Sequence, residues 1–277
     1  MAGDEDLLAQ LRPVDQDRYL ATLYASQEKR RALAALYLFN AEIASIRDRI
    51  HEPLPGEVRI QWWRDAIAGG EGGGHPLVDT LLVVIDKYGL PREAFDRYLD
   101  ARIFDLYDDP MPSRGDLEGY LGETASALIQ LSALVLEPEA APAFAAAAGH
   151  AGCAQGIAGL LRLLPLHRSR GQCFVPADIL AAAGTDRDGF VSGNDRAAIS
   201  RAIEGMVALG HEHASGFAAA ARGMPASLRP AFLAAALTQA YLGRVQHAAA
   251  TALERPADIS ALRRHWTLLS TAMRGWG

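Results

Sequence analysis

The sequence predicts an all-α fold, a single domain of about ten helices, and three observations carry that expectation. Alanine, the strongest helix former, dominates the composition and comes in runs such as residues 145–148 and 234–236. Nearly every long segment repeats its apolar residues with helical period, and none alternates as a half-buried strand does. Proline and glycine are spread evenly between these segments rather than gathered at one boundary, which argues for one domain. With 277 residues, half of them hydrophobic, the chain is long enough to bury a substantial core.

In chain order, residues 1–14 are expected as an N-terminal extension and residues 15–277 as the helical domain. Residues 15–25 form its first helix, and Ser26 stands where it can cap a second that runs to about Arg49. Pro53 and Pro55 break the chain ahead of a helix over 56–68. The glycine-rich stretch 69–74 lacks the strand-to-helix context of a nucleotide-binding loop and is read as a flexible connector. Further helices are expected after His75-Pro76, over 91–107, 113–136 and 142–164, and briefly after Pro176. The last three are expected over 195–222, 225–253 and 259–273. Residues 143–166 are long and mostly apolar, yet their alanine and glycine content, with His150, Gln155 and Arg162, fits a buried helix rather than a membrane span.

Bulk charge narrows the function classes. A net charge of -6 without any Lys/Arg-rich block gives no general attraction to nucleic acid, so no nucleic-acid partner is expected. Lys29 and Lys87 are the only lysines. The arginine bias suits bidentate contacts to phosphate or carboxylate, although such a bias more often follows genomic base composition. Cys153 and Cys173 are too few and too far apart for a disulfide framework or a zinc site, and free thiols in a reducing compartment are expected. The first six residues are acidic and lack the apolar centre of a signal peptide, which makes a cytoplasmic location the expectation.

Several motif-like stretches carry no chemistry on close reading. Gly184 to Asp195 imitates a calcium loop through Asp186, Asp188 and Gly189, but it lacks the first acidic ligand and ends in Asp195 where a bidentate glutamate belongs; a turn into a helix N-cap is expected. Asp105, Asp108 and Asp109 resemble a metal-binding aspartate cluster, but Pro110 and Pro112 put them at a helix end as solvated charges. His211 and His213 point about 200° apart on a helix, which disfavours a shared metal. Ser26 and Lys29 have an S-x-x-K spacing better explained by capping, and neither a G-x-S-x-G elbow nor a P-loop is present.

Two segments hold the candidate site. The first runs from Ala35 to Asp48, Ala-Leu-Tyr-Leu-Phe-Asn-Ala-Glu-Ile-Ala-Ser-Ile-Arg-Asp, and alone it is an amphipathic helix with Phe39, Ile43 and Ile46 inward. Glu42 and Arg49 share a face two turns apart, and Asp48 lies one turn from Glu52. The second runs from Gly159 to Pro176 and holds Arg162, His167 and Arg170. Its histidine, set beside Arg168 and Arg170, reads from the residues alone as part of a polar loop. Gly56 to Asp65 adds a helix with Trp62 and Trp63 about 100° apart, one facing the core and the other a groove or interface.

These segments resemble the squalene/phytoene synthase family. Its first motif typically reads Leu-Tyr-Ala-Phe-Cys-Arg-x-x-Asp-Asp-x-x-Asp, with carboxylates one turn apart that hold Mg²⁺ against a prenyl diphosphate. Here the lead-in Leu36 to Phe39 matches, Ala41 stands for the arginine, Ala44 and Ser45 stand for the paired aspartates, and Asp48 alone survives. Glu42, half a turn away, offers a partial substitute. The second motif, Asn-x-x-Arg-Asp-x-x-x-Asp followed by Arg-Gly-Arg-x-Tyr-Leu-Pro, keeps Arg162 and matches closely at Arg170-Gly-Gln-Cys-Phe-Val-Pro176. It replaces the asparagine with Gly159 and its aspartates with Leu163 and His167. Imidazole is a poor magnesium ligand beside carboxylate, and an alanine or leucine offers no oxygen at all. Tyr120 falls where the family has a tyrosine before a small-residue helix, here Ala125 to Ala127. With these losses, Asn40-Ala-Glu-Ile-Ala, the Gln61-Trp-Trp-Arg64 helix and Arg162-x-x-Pro-x-His-x-Ser-Arg170 resemble a divergent branch of the family, the mitochondrial complex I assembly factors, and the resemblance runs from about Asp15 to Gly277.

The resemblance implies an isoprenoid-synthase-type bundle around a central pocket, with Glu42, Arg47, Asp48, Tyr120, Arg162, His167 and Arg170 as inherited substrate-binding positions. It implies no catalytic residue and no metal ligand, because four of five aspartate positions are lost. Loss of one electrostatic stabiliser typically costs a factor of about 10² to 10³ in rate, and several losses together argue against ordinary turnover. The function implied is a catalytically impaired member that assists respiratory complex I assembly through a protein partner, or binds a prenyl or lipid-like ligand. Peripheral contact with the inner face of a membrane goes with that reading. The alternative is an active head-to-head prenyl diphosphate transferase, and only that alternative calls for Mg²⁺ as cofactor.

Overall fold

A computed structural model describes residues 2–50, 52–248 and 251–276, with side chains from Leu7 onward. Among the described residues every regular element is a helix. The chain opens with α1 (Ala2–Val14), α2 (Gln16–Thr22) and α3 (Gln27–Ala44). Asp15 caps α2 by accepting from the Arg18 amide. Ser26 precedes α3 as expected, yet its side chain makes no capping bond. Residues 2–14 are no appendage: α1 packs along α3, and Leu7 and Leu11 are buried in the main core. The expected boundary at residue 15 therefore falls inside continuous packing, while Met1 lies outside the described residues.

The second expected helix stops early. α3 ends at Ala44, Ser45 adopts a non-helical backbone, and a single turn, α4 (Ile46–Arg49), follows. α5 (Pro53–Gly69), α6 (Pro76–Tyr88) and α7 (Arg92–Arg102) start at or just after prolines, where the missing amide costs nothing. Gly70 and Gly89 close α5 and α6 in the left-handed conformation that suits glycine. These helices enclose one core, where Phe39 meets Trp63, Phe95 and Tyr98 at centroid distances of 5.4, 5.6 and 5.1 Å. Trp63 is fully buried and Trp62 half-buried under Arg59, so the two tryptophans divide as their spacing suggested.

The expected helix over 113–136 is α8 (Arg114–Leu121) and α9 (Ala127–Leu136) joined by a π turn, Gly122–Ser126. α10 (Ala145–Arg162) runs against that turn and along α14 (Arg196–Ala220), between which come α11 (Leu164–Ser169), α12 (Ala177–Ala182) and α13 (Arg187–Ser192). Asp186 and Asp195 cap α13 and α14, so the calcium-like stretch is a turn between capped helices. The expected helix over 225–253 is broken into α15 (Arg229–Phe232), a 3₁₀ turn Leu233–Leu237 and α16 (Thr238–His247); its residues 249 and 250 lie outside the described ones. α17 (Ala261–Arg274) ends the fold. A second core lies between α10, α14 and α16. By length and composition Arg114–Leu136 and Ala141–Arg162 could cross a membrane, but 61% and 50% of their apolar windows are buried within the bundle, as expected of core helices.

Gly152 sets how closely α10 approaches the π turn. A methyl group there would overlap the Ser126 backbone, whereas one at Gly156 would meet only the end of the Leu121 side chain. Ser126 Oγ donates to the Gly149 carbonyl at 3.0 Å across the same contact. Gly152→Ala should therefore cost about 1–3 kcal/mol through overpacking, despite the better helix propensity of alanine. Gly156→Ala should be close to neutral, because a leucine side chain can move where a backbone cannot. Urea midpoints of the two variants test this, and equal midpoints would show that the π turn yields.

Candidate functional site

A cavity of about 480 Å³ is walled by α1, α2, α3, α7, α8, the π turn, α10, the 3₁₀ turn Leu233–Leu237, α16 and α17. Its apolar wall comes from small and aliphatic residues such as Leu121, Ala125, Ala158 and Leu160. Its polar wall comes from Asp15, Asp17, Arg18, Asn40, Arg102, Tyr120, Arg162, Tyr241, Asp258 and Arg264. Four arginines against three aspartates leave that wall one charge positive in a chain whose net charge is -6.

Two networks hold these charges. In the first, Arg102 donates to Asp105 at 2.9 Å, Tyr120 Oη at 2.9 Å, Tyr98 Oη at 3.2 Å and Asn40 Oδ1 at 3.2 Å. Tyr120 donates in turn to Asp105 at 2.7 Å, and Tyr98 to Asn40 at 2.8 Å. Burial works against the charge on Arg102, but Tyr120, Tyr98 and Asp105 outweigh it and hold its pKa well above the usual guanidinium value. Burial, reinforced by the Asp105 charge, keeps the Tyr120 hydroxyl protonated. In the second, the buried Arg264 meets Asp17 at 2.7 Å, Asp258 at 3.0 Å and Gln16 at 3.0 Å, while Tyr241 donates to Asp17 at 2.7 Å. Arg162 lies 3.9 Å over the Tyr241 ring and reaches Asp17 at 3.7 Å and Asp258 at 3.5 Å. Arg18 pairs with Asp15 at 2.6 Å.

A family model for squalene/phytoene synthase matches residues 11–267, which is most of the chain. The chain belongs to the squalene/phytoene synthase family. Among curated relatives, a mouse protein named NADH dehydrogenase (ubiquinone) complex I, assembly factor 6 is 31% identical over 239 residues, 85% of this chain and 72% of its own. Among solved structures, a dehydrosqualene synthase in complex with ligand superposes with a TM-score of 0.85 at 15% identity, over 99% of this chain and 96% of that one. A squalene synthase from Alicyclobacillus acidocaldarius gives 0.73 at 18% identity, over 89% and 94%. At such identities the structural likeness establishes the squalene-synthase-like isoprenoid synthase fold, as the two motifs implied.

Of the seven expected positions, the structure puts Tyr120 and Arg162 on the cavity wall. Asp48 and Arg170 join the two family motifs directly, as an ion pair of 2.6 Å. Glu42 turns to Arg49 at 2.8 Å, and Arg47 reaches Asp108 at 3.3 Å. His167 is buried against the Phe174 ring at 4.8 Å, not in a polar loop. The expectation of solvated charges fails at Asp105, whose side chain is only 14% exposed within the Arg102 network. His213 turns inward, 3.2 Å from His150 Nδ1 and 3.0 Å from Glu118, away from His211.

The family's metal does not fit the residues present. Ala44 and Leu163, two of the four replaced aspartate positions, both face the cavity and offer no oxygen. Ser45 spends its hydroxyl on the Glu42 carbonyl and Arg49. The carboxylates on the wall already face arginines, and a hard cation would have to displace them. Among the described residues no group of three or more His, Cys, Asp and Glu is arranged to hold a metal.

His167 carries a pH prediction. Burial, and then the Arg170 charge, lower its pKa from 6.5 to about 4, so the folded protein holds a neutral imidazole at pH 7. Protonation then favours the unfolded chain: the contribution of this group is complete above pH 6.5 and falls as pH drops towards 4. His167→Leu should lose less stability than wild type between pH 7 and pH 4.5, read as the shift of the urea midpoint. An identical shift in both proteins would mean that residue 167 is accessible when protonated.

Proposed function

We propose that this chain is a catalytically silent squalene/phytoene synthase family member that acts in the assembly of respiratory complex I. It retains the cavity for a prenyl diphosphate or lipid-like anion rather than for condensation chemistry. One observation carries the reading: Ala44 and Leu163 stand on the cavity wall where carboxylates would be needed to hold a metal. Departure of a diphosphate leaves several charges to neutralise, and the wall arginines are each engaged by an aspartate or by a buried tyrosine–asparagine network. The assembly role rests on the relative named complex I assembly factor 6 and on its match to most of this chain.

Calorimetric titration with farnesyl diphosphate, with and without Mg²⁺, alongside a diphosphate-release assay, tests the chemistry. No diphosphate release is expected under either condition, and Mg²⁺-dependent binding with turnover would overturn the reading. Removing the chain from its own cell tests the role: native gels should show less assembled complex I, with the other respiratory complexes unchanged. Normal complex I in such cells would leave the assembly role without support.

A further inference from the structure

We propose that α17 docks this protein on an anionic lipid surface through an apolar stripe opposite the cavity. The inference concerns a surface apart from the cavity and stands whether or not the assembly role does. Leu262, Trp266, Leu269 and Met273 are 81%, 67%, 43% and 75% exposed. At about 100° per residue these four fall within an arc of about 60°, and they extend over about 16 Å of helix. Leu268, on another face of the same helix, is buried in the core, so α17 is apolar twice: once inward and once towards solvent.

Charge identifies the occupant. The stripe is flanked by exposed Arg263, His265 and Arg274, and α17 contains no aspartate or glutamate, in a chain whose net charge is -6. A cationic helix with an apolar face led by a tryptophan is the pattern of helices that lie in the plane of a bilayer interface, with basic side chains at anionic headgroups. A second copy fits less well. A self-complementary contact would bring like-charged Arg263 and Arg274 pairs together. One narrow stripe also falls short of the roughly 800 Å² per partner that a stable protein contact buries.

The inner face gives the docking a consequence. Arg264, between Arg263 and His265, is 5% exposed and lines the cavity, and the exposed Asp258 just ahead of α17 lines it too. The helix that would rest on lipid is thus the helix that closes one side of the pocket.

Flotation of the full chain with vesicles tests the proposal. The protein should float with phosphatidylcholine vesicles containing about one third phosphatidylglycerol, should stay behind with pure phosphatidylcholine, and should detach as salt rises. Leu262→Asn, Trp266→Ser and Met273→Asn together should weaken binding at least about ten-fold without moving the melting temperature, since all three side chains are exposed. Arg263→Gln with Arg274→Gln should weaken it about five-fold per residue and leaves the apolar stripe intact. Failure of the wild type to float with anionic vesicles, or flotation of the stripe and charge variants equal to that of the wild type, would overturn the proposal. So would sedimentation showing a wild-type dimer that the stripe variant dissolves, because the face would then bind protein.

Discussion

Replacing Arg264 with alanine is expected to lower the stability of the protein by about 3–5 kcal/mol, the cost of removing one partner of a buried ionic network. Arg264 is 5% exposed and binds Asp17, Asp258, Gln16 and Tyr241 together, so it ties α17 to α2 and α16. Its Nε lies 2.7 Å from Asp17 Oδ1 but off the hydrogen-bond line, so that contact is an ion pair rather than a hydrogen bond. Without the guanidinium, Asp17, with a side chain only 15% exposed, is left with Tyr241 and the more distant Arg162 as partners. The melting temperature should fall by roughly 10 °C. Arg264→Lys should lie between, because an ammonium restores the charge without the fork that serves four partners. Adding Asp17→Asn to Arg264→Met should recover part of the loss by removing the stranded charge, and a double-mutant cycle measures that coupling. A loss under about 1 kcal/mol for Arg264→Ala would mean that the network is solvated like a surface pair.

This network was out of reach of the sequence for a physical reason. Asp17 and Arg264 are separated by almost the whole chain, and no local period links a carboxylate on the second helix with a guanidinium on the last. Arg102 and Asn40 present the same difficulty, since each reads locally as an ordinary helix residue. Asp105 misled because local reasoning sees two prolines and a helix end, while tertiary packing folds that end onto Tyr120 and Gln172. Local signals were legible where the physics is local: Asp15, Ser113 and Asp195 stand at helix starts and make their capping bonds. The π turn at Gly122–Ser126 was hidden, because residues 113–136 keep helical period throughout and the widening occurs where Gly152 of α10 admits the backbone of the turn. The two family motifs were readable as ancestry, and the structure joins them through the Asp48–Arg170 contact.

Introducing aspartate at three lost positions, Ala44→Asp, Ser45→Asp and Leu163→Asp, should convert Mg²⁺ from an inert solute into a stabilising ligand. Ala44 and Leu163 carry most of the expectation because both face the cavity, whereas Ser45 turns its hydroxyl to the Glu42 carbonyl and Arg49. Without metal, the new carboxylates add like charge to a wall that already holds Asp15, Asp17 and Asp258, so the variant should be less stable than wild type. With Mg²⁺ at about a hundred times its dissociation constant, binding to the folded state alone contributes about 2.7 kcal/mol. That gain corresponds to a rise in melting temperature of roughly 5–10 °C in the variant, while wild type should not respond. Calcium in place of magnesium should give a smaller rise if the three carboxylates form a compact octahedral site, since the larger ion takes six to eight oxygens. Turnover is not expected to return, because the arginines that would receive a departing diphosphate remain engaged by Asp15, Asp17, Asp105 and Asp258. A folded triple variant indifferent to Mg²⁺ would show that residues 44 and 163 do not approach one site, and the correspondence with the family's aspartate positions would then be wrong.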